Sequence, residues 1–219
     1  MRIVIQCAGK KHKSAGRLKN ASGVRVVFVA HPEKCTPTES SLRYYRPDDE
    51  VGTGLGTWRE YLTRYNQQSL NPDGLFRAAE LYKPTVYRAL VERYSWQNVF
   101  ILSAGWGLIR SDFLTPYYDI TFSNQGKPYS KRRSRDRFED FNQLSDSDIQ
   151  PDETLYFFGG QDYLQLYRSL TQNITVRKVI YHSQGSAFQL QGYECIPYRS
   201  YTNWHYSCAQ DFMEGNIST

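Results

Sequence analysis

Two hydrophobic periods run through the chain. The continuous apolar run at 98–102 has the pattern of a strand buried on both faces, 2–6 and 154–158 read as further buried strands, and 24–30 and 176–181 as strands too. The run at 24–30 is rich in β-branched residues, which favour extended backbone. Helical stripes lie between them. Trp58, Tyr61, Leu62 and Tyr65 share one face of a helix over 57–67. Val86, Tyr87, Leu90, Val91 and Tyr94 form a second stripe, and Pro84 suits that helix's first turn. Tyr163, Leu164, Leu166, Tyr167 and Leu170 form a third over 162–170. Shorter helices are expected at 75–82 and around 138–144. Residues 31–56, with Pro32, Pro37 and Pro47, read as loop, and 120–122 as a brief extended piece. From about residue 183 the chain reads as irregular and aromatic. Strands alternating with helices predict one α/β domain over 1–219, with a mixed or largely parallel central sheet of roughly four to six strands flanked by helices.

The run at 98–102 breaks at Ser103-Ala104-Gly105, where side chains shrink and the backbone can turn sharply. A loop carrying Trp106, Asp112, Tyr117, Tyr118 and Asp119 is expected to follow. Ligands of α/β proteins sit beyond the carboxyl ends of such strands. A small-residue turn followed by aromatics and acids suits a pocket for a planar ring; it equally suits an ordinary surface loop. Cys7-Ala8-Gly9-Lys10-Lys11 after the first strand is a candidate anion-binding turn, without the full pattern of an ATP-type P-loop. Gly159-Gly160-Gln161 repeats the strand–glycine–helix design.

Charge sharpens this picture. The net charge is +5, and no acid precedes Glu33, whereas seven Lys and Arg residues do. A basic insertion near 124–137 holds Lys127, Lys131, Arg132, Arg133, Arg135 and Arg137 against Asp136 alone. Such clusters suit a phosphate partner or a solvated loop. Aromatics reach 15 % of residues, which suits base stacking as well as core packing. Cys7, Cys35, Cys195 and Cys208 have neither metal-site nor disulfide-framework spacing, so no metal or cofactor is expected. Cys7 reads as a small buried residue. The apolar run at the start is too short for a signal peptide or a membrane span, which predicts a soluble, cytoplasmic protein.

Cys7-x-Gly9-Lys10-Lys11, Leu75-Phe76, Ile101-Leu102-Ser103-Ala104-x-x-Gly107-Leu108 and Pro116-Tyr117-x-Asp119 together resemble a family of bacterial domains. Its usual blocks are near Cys-Gly-Lys-Lys-Lys, Leu-Ser-Ala-x-Tyr-Gly-Leu and Pro-Tyr-Asp. Those domains are similar to YaaA-type peroxide-stress proteins, which bind DNA, and to phage-defence DNA glycosylases that remove modified cytosines. The resemblance covers about the first 170 residues. This chain departs from it by Ala8 between Cys7 and Gly9, by Trp106 in place of Tyr, and by Tyr118 between Tyr117 and Asp119.

The resemblance implies a monofunctional DNA N-glycosylase in antiviral defence. It would flip a hypermodified cytosine out of phage DNA, cut the base–sugar bond and leave an abasic site. Asp119, and after it Asp112, would stabilise the positive sugar and orient water. Ser103, Gly105, Trp106, Tyr117, Tyr118 and Gln161 would hold the base. Lys10, Lys11, Lys131, Arg132, Arg133 and Arg135 would contact phosphates. A Schiff-base role for Lys10 or Lys11 is the less favoured alternative. Alternative functions are DNA binding without chemistry and a nucleoside deoxyribosyltransferase-like reaction.

Overall fold

The structure is a computed structural model and describes residues 1–36, 41–145, 149–183, 189–199 and 201–217. In chain order its elements are β1 (Arg2–Gln6), β2 (Arg25–Val29), β3 (Leu42–Tyr45), α1 (Trp58–Asn66), β4 (Phe76–Arg77), α2 (Ala78–Leu81), α3 (Val86–Tyr94), β5 (Val99–Ser103), β6 (Gly107–Arg110), β7 (Leu114–Thr115), β8 (Tyr118–Asp119), β9 (Phe141–Asn142), β10 (Thr154–Phe158), α4 (Gln161–Thr171), β11 (Arg177–Ser183), β12 (Glu194–Tyr198) and α5 (Trp204–Glu214).

A seven-stranded sheet of order β12-β11-β10-β1-β5-β6-β9 forms the centre. Its first five strands are parallel; β6 runs antiparallel to β5, and β9 runs parallel to β6. The architecture is α/β with a mixed, mostly parallel sheet. Ile3, Val4 and Ile5 of β1 are all at 0 % exposure, as an interior strand covered on both faces requires. Alternation along β10 assigns the layers. Tyr156 and Phe158 meet Phe212 of α5, whereas Phe157 between them stacks on Tyr167 of α4 at 4.2 Å. α3 packs beside α5, so helices cover both sides of the sheet.

A second, parallel sheet of order β3-β2-β8 stands beside the first, and β4 pairs antiparallel with β7. Phe28 of β2 joins the sheets by meeting Trp58 of α1 and Trp106 edge-on. One apolar cluster runs through the whole assembly. Among the described residues no helix is long and apolar enough to cross a membrane.

Several expectations are corrected. Trp106 does not open a loop: β5 and β6 form a tight hairpin around it. Gly107 makes that hairpin possible. It has φ +85°, and a Cβ there would stand 2.5 Å from the Phe141 carbonyl oxygen. The expected helix around 138–144 is instead the short strand β9, because the Phe141 and Gln143 N–H groups donate to the Trp106 and Leu108 carbonyls. The 75–82 segment divides into β4 and the short α2. The 31–56 segment contains β3, while Pro37 lies outside the described residues. The described residues beyond 183 are not irregular: β12 extends the sheet and α5 covers it with Trp204, Cys208 and Phe212. The basic insertion is stitched to the body, with Thr121 N–H donating to Ser130 O and Arg132 N–H to Thr121 O.

Candidate functional site

The turn after β5 is saturated by side chains. Gly105 and Trp106 N–H groups donate to Ser103 Oγ at 3.2 and 3.1 Å. Two buried guanidinium groups take the turn's carbonyls: Arg132 donates to Ala104 O, and Arg59 donates to Gly105 O and Trp106 O. Each arginine is held by an acid, Arg132 by Asp140 and Arg59 by Asp48. Gly105 is small because Tyr118 lies against it; a Cβ would come within 3.0 Å of the Tyr118 ring. Trp106 is at 0 % exposure, stacked near Phe141 and edge-on to Phe28. The turn therefore offers its polar groups and its indole to the protein interior. The expectation that Ser103, Gly105, Trp106 and Tyr118 form a base pocket is corrected accordingly. They build the wall behind the site.

That wall continues as a hydroxyl chain. Ser103 Oγ–H donates to the Tyr118 hydroxyl at 2.9 Å, which meets the Tyr82 hydroxyl at 2.8 Å. The Cys7 thiol lies 3.2 Å from the Tyr163 hydroxyl and accepts from Ala104 N–H. Burial pushes the Tyr82, Tyr118 and Tyr163 hydroxyls well above the usual tyrosine range, so they remain neutral. Lys11 lies over this surface, 4.0 Å from the centre of the Tyr118 ring and 5.8 Å from that of Tyr82. It is only 8 % exposed. Burial holds its ammonium below the ordinary lysine range, while Cys7 and Asp119 act in the opposite sense. Lys11 is thus no solvent-facing phosphate contact. Its neighbour Lys10 is exposed.

Asp119 ends β8, in register with Val29 at the carboxyl end of β2. It is half-buried and forms no hydrogen bond or ion pair with any described residue. Its field reaches Lys11, Cys35, Tyr117 and Lys127. Tyr117 keeps a partly exposed ring, with the Arg17 guanidinium 4.5 Å from its centre. Beside Arg17 opens a cleft of about 330 Å³ whose walls include Lys13, Lys19 and Arg25. Tyr117 N–H donates to Gly16 O and joins this cleft to β8. Lys13, Arg17 and Arg25 were not assigned to the site from sequence; the absence of any acid before Glu33 was the available signal.

Asp112 is not part of this constellation. The β5–β6 hairpin returns the chain to the amino end of β5, where Ser111 N–H donates to Val99 O, and Asp112 pairs there with Arg110. Arg132 is likewise corrected, since its guanidinium is buried against Asp140 and Ala104 O rather than free for phosphate. Lys131, Arg133 and Arg135 remain wholly or partly exposed on the insertion. Lys131 and Arg133 line a larger cleft of about 580 Å³ with Asp136, Asp140 and Asp162, against α4; Asp119 is not in its walls. Gln161 is exposed at the start of α4. Among the described residues no three His, Cys, Asp or Glu side chains gather as a metal site.

The sheet reverses its winding between β1 and β10, the place where ligands of such sheets bind. Gly160 N–H donates to Gln6 Oε1 at 2.6 Å, which turns the Gln6 amide NH₂ toward His205 Nε2 at 3.1 Å. Burial lowers His205 to about 4, so the ring accepts this bond as neutral imidazole at pH 7. An unfolded histidine titrates near 6.5. Between those values the unfolded chain binds a proton that the folded chain refuses, so stability falls as pH drops from 6.5 toward 4, by about 3 kcal/mol. Thermal melts at pH 7 and pH 4.5 should show that loss in the wild type and a smaller loss in His205→Gln. Equal losses would remove His205 as the source.

Comparison of the chain with protein-family models and with curated proteins returned no match.

Proposed function

We propose that this protein is a DNA N-glycosylase that cleaves a base–sugar bond, with Asp119 as the carboxylate facing the reacting sugar. One observation carries the reading. Asp48, Asp112, Asp140 and Asp211 are each tied to an arginine, whereas Asp119 is half-exposed with no partner among the described residues. An unpaired carboxylate is what an oxocarbenium-like transition state needs, because it stabilises charge that develops only as the bond breaks. Tyr117 supplies an aromatic face next to it. The cleft walled by Lys13, Arg17, Arg25 and Lys19, the last paired with Asp73, would supply phosphate contacts. The resemblance set out above suggests a hypermodified cytosine of phage DNA as the base, and phage defence as the setting.

The test is base release. Phage DNA carrying hypermodified cytosine should yield free base and alkali-labile sites on incubation with the protein. DNA that stays alkali-stable at enzyme excess overturns the assignment for that substrate.

A second reading, DNA binding without chemistry, draws on the burial of Trp106 and Tyr118, which leaves Tyr117 as the accessible ring among the three aromatics expected to hold a base. It predicts binding with no product. Both readings use the same cationic cleft. Lys13→Ala with Arg25→Ala should weaken DNA binding across sequences and reduce the slope of log affinity against log salt by about 2. An unchanged slope would move the phosphate contacts to the insertion.

A further inference from the structure

We propose that Lys11 is an amine nucleophile, and that the protein therefore nicks DNA at abasic sites in addition to releasing a base. The inference deepens the glycosylase reading and rests on it for the first chemical step.

Lys11 is unusual among the lysines of the chain. Its side chain is more than nine-tenths buried, yet its ammonium makes no hydrogen bond or ion pair with any described residue. The other strongly buried lysine, Lys178, is satisfied in the ordinary way, donating to Thr171 O at 2.9 Å. The burial falls on the aliphatic stem, and the ammonium nitrogen itself keeps access to solvent, as a nucleophile must. The aromatic faces of Tyr118 and Tyr82 flank it, at 4.0 and 5.8 Å from the ring centres. The tyrosine hydroxyls that could accept a bond from Lys11 are committed to each other and to Ser103. Asp119 is a carboxylate whose field reaches Lys11, and it lies beyond ion-pair distance. Desolvation favours the neutral amine, the form that attacks carbon.

The chemistry balances with these groups alone. The Lys11 proton passes to Asp119 or to water, and neutral Nζ attacks the aldehyde carbon C1′ of a ring-opened abasic sugar. The carbinolamine takes that proton back and loses water to form an iminium, which leaves Asp119 ionised. Loss of a C2′ proton to Asp119 then breaks the C3′–O3′ bond, and the 3′ phosphate departs with its electron pair. When a modified base is still attached, the same nitrogen forms the N–C1′ bond as the glycosidic bond breaks, and the base leaves with a proton from solvent. This replaces the monofunctional reaction expected from the sequence with a coupled one.

Abasic duplex DNA, made by uracil removal, tests the proposal independently of the natural base. Incubation of the intact protein with this DNA and borohydride should give a covalent adduct whose mass maps to Lys11. Without borohydride the same DNA should be nicked. Lys11→Arg, which keeps a cation over Tyr118 but cannot form an iminium, should lose both adduct and nicking. The exposed Lys83→Arg should keep both. Mapping the wild-type adduct needs no variant, so a misfolded Lys11→Arg protein would not spare the proposal. An adduct mapped to another amine, or none, overturns it. Base release without an adduct overturns it and leaves the glycosylase reading standing. An adduct on Lys11 without base release from modified DNA supports the amine and removes the glycosylase reading for that substrate.

Discussion

Asp119→Asn should lower base release by about 10²–10³-fold, the range found when one group that stabilises transition-state charge is removed. The change is nearly isosteric. Asp119 has no hydrogen bond or ion pair among the described residues, so no buried partner is orphaned and the melting temperature should move little. DNA affinity should hold or rise slightly, because a negative charge beside phosphate is gone. Asp112→Asn is the matched control. Its exposed pair with Arg110 at the amino end of β5 is worth about 0–1 kcal/mol and lies away from the proposed chemistry. Single-turnover base release by the two variants separates them. Wild-type rates in Asp119→Asn would end its role, whatever Asp112→Asn did.

Arg132→Ala should be the most destabilising single change in the basic insertion. It strands the Asp140 carboxylate, whose side chain is 8 % exposed, and the Ala104 carbonyl together. Breaking a buried pair by removing one partner costs about 3–5 kcal/mol. For a domain of this size each kcal/mol lowers the melting temperature by about 2–4 °C, so a fall of about 6–20 °C is expected. Arg133→Ala, one residue on and exposed, should stay within about 0.5 kcal/mol of wild type. Lysine at 132 should rescue little, since the fork that reaches Asp140 and Ala104 O at once needs a guanidinium. Thermal melts decide the matter: equal melting temperatures for Arg132→Ala and Arg133→Ala would mean that the clamp is not structural.

These two cases show what the sequence made legible. Strands 2–6, 98–102, 154–158 and 176–181 were readable because they are buried on both faces. β3, β9 and β12 were not, because sheet margins ask little of side chains. β12 reads Glu-Cys-Ile-Pro-Tyr and carries a proline that an edge tolerates. α5 did carry a stripe, Trp204, Cys208 and Phe212, but it was diluted by polar neighbours. Asp119 was visible as an acid in a resembling block, whereas its separation from Asp112 was not. Seven residues of sequence carry the chain from the amino end of β5 in the central sheet to β8 in the second sheet once a hairpin has reversed it. Lys10 and Lys11 looked alike, and only the tertiary placement of Tyr82 and Tyr118 distinguishes them. Arg59 gave no signal at all, since its acid, Asp48, lies on a preceding loop and its carbonyl partners on a distant turn.

The middle position of β1 has a consequence during synthesis. β1 takes both its neighbours from far downstream: Ile3 aligns with Val99 on one side and with Tyr156 on the other. At about 5–20 residues per second, the second flank follows the first strand by roughly 8–30 s. Until then a ribbon of bare amides and aliphatic side chains stands open to any passing strand. Chaperone demand during translation should therefore centre on the amino-terminal half, and a nascent chain stalled before β10 should be far more prone to aggregate than the finished one.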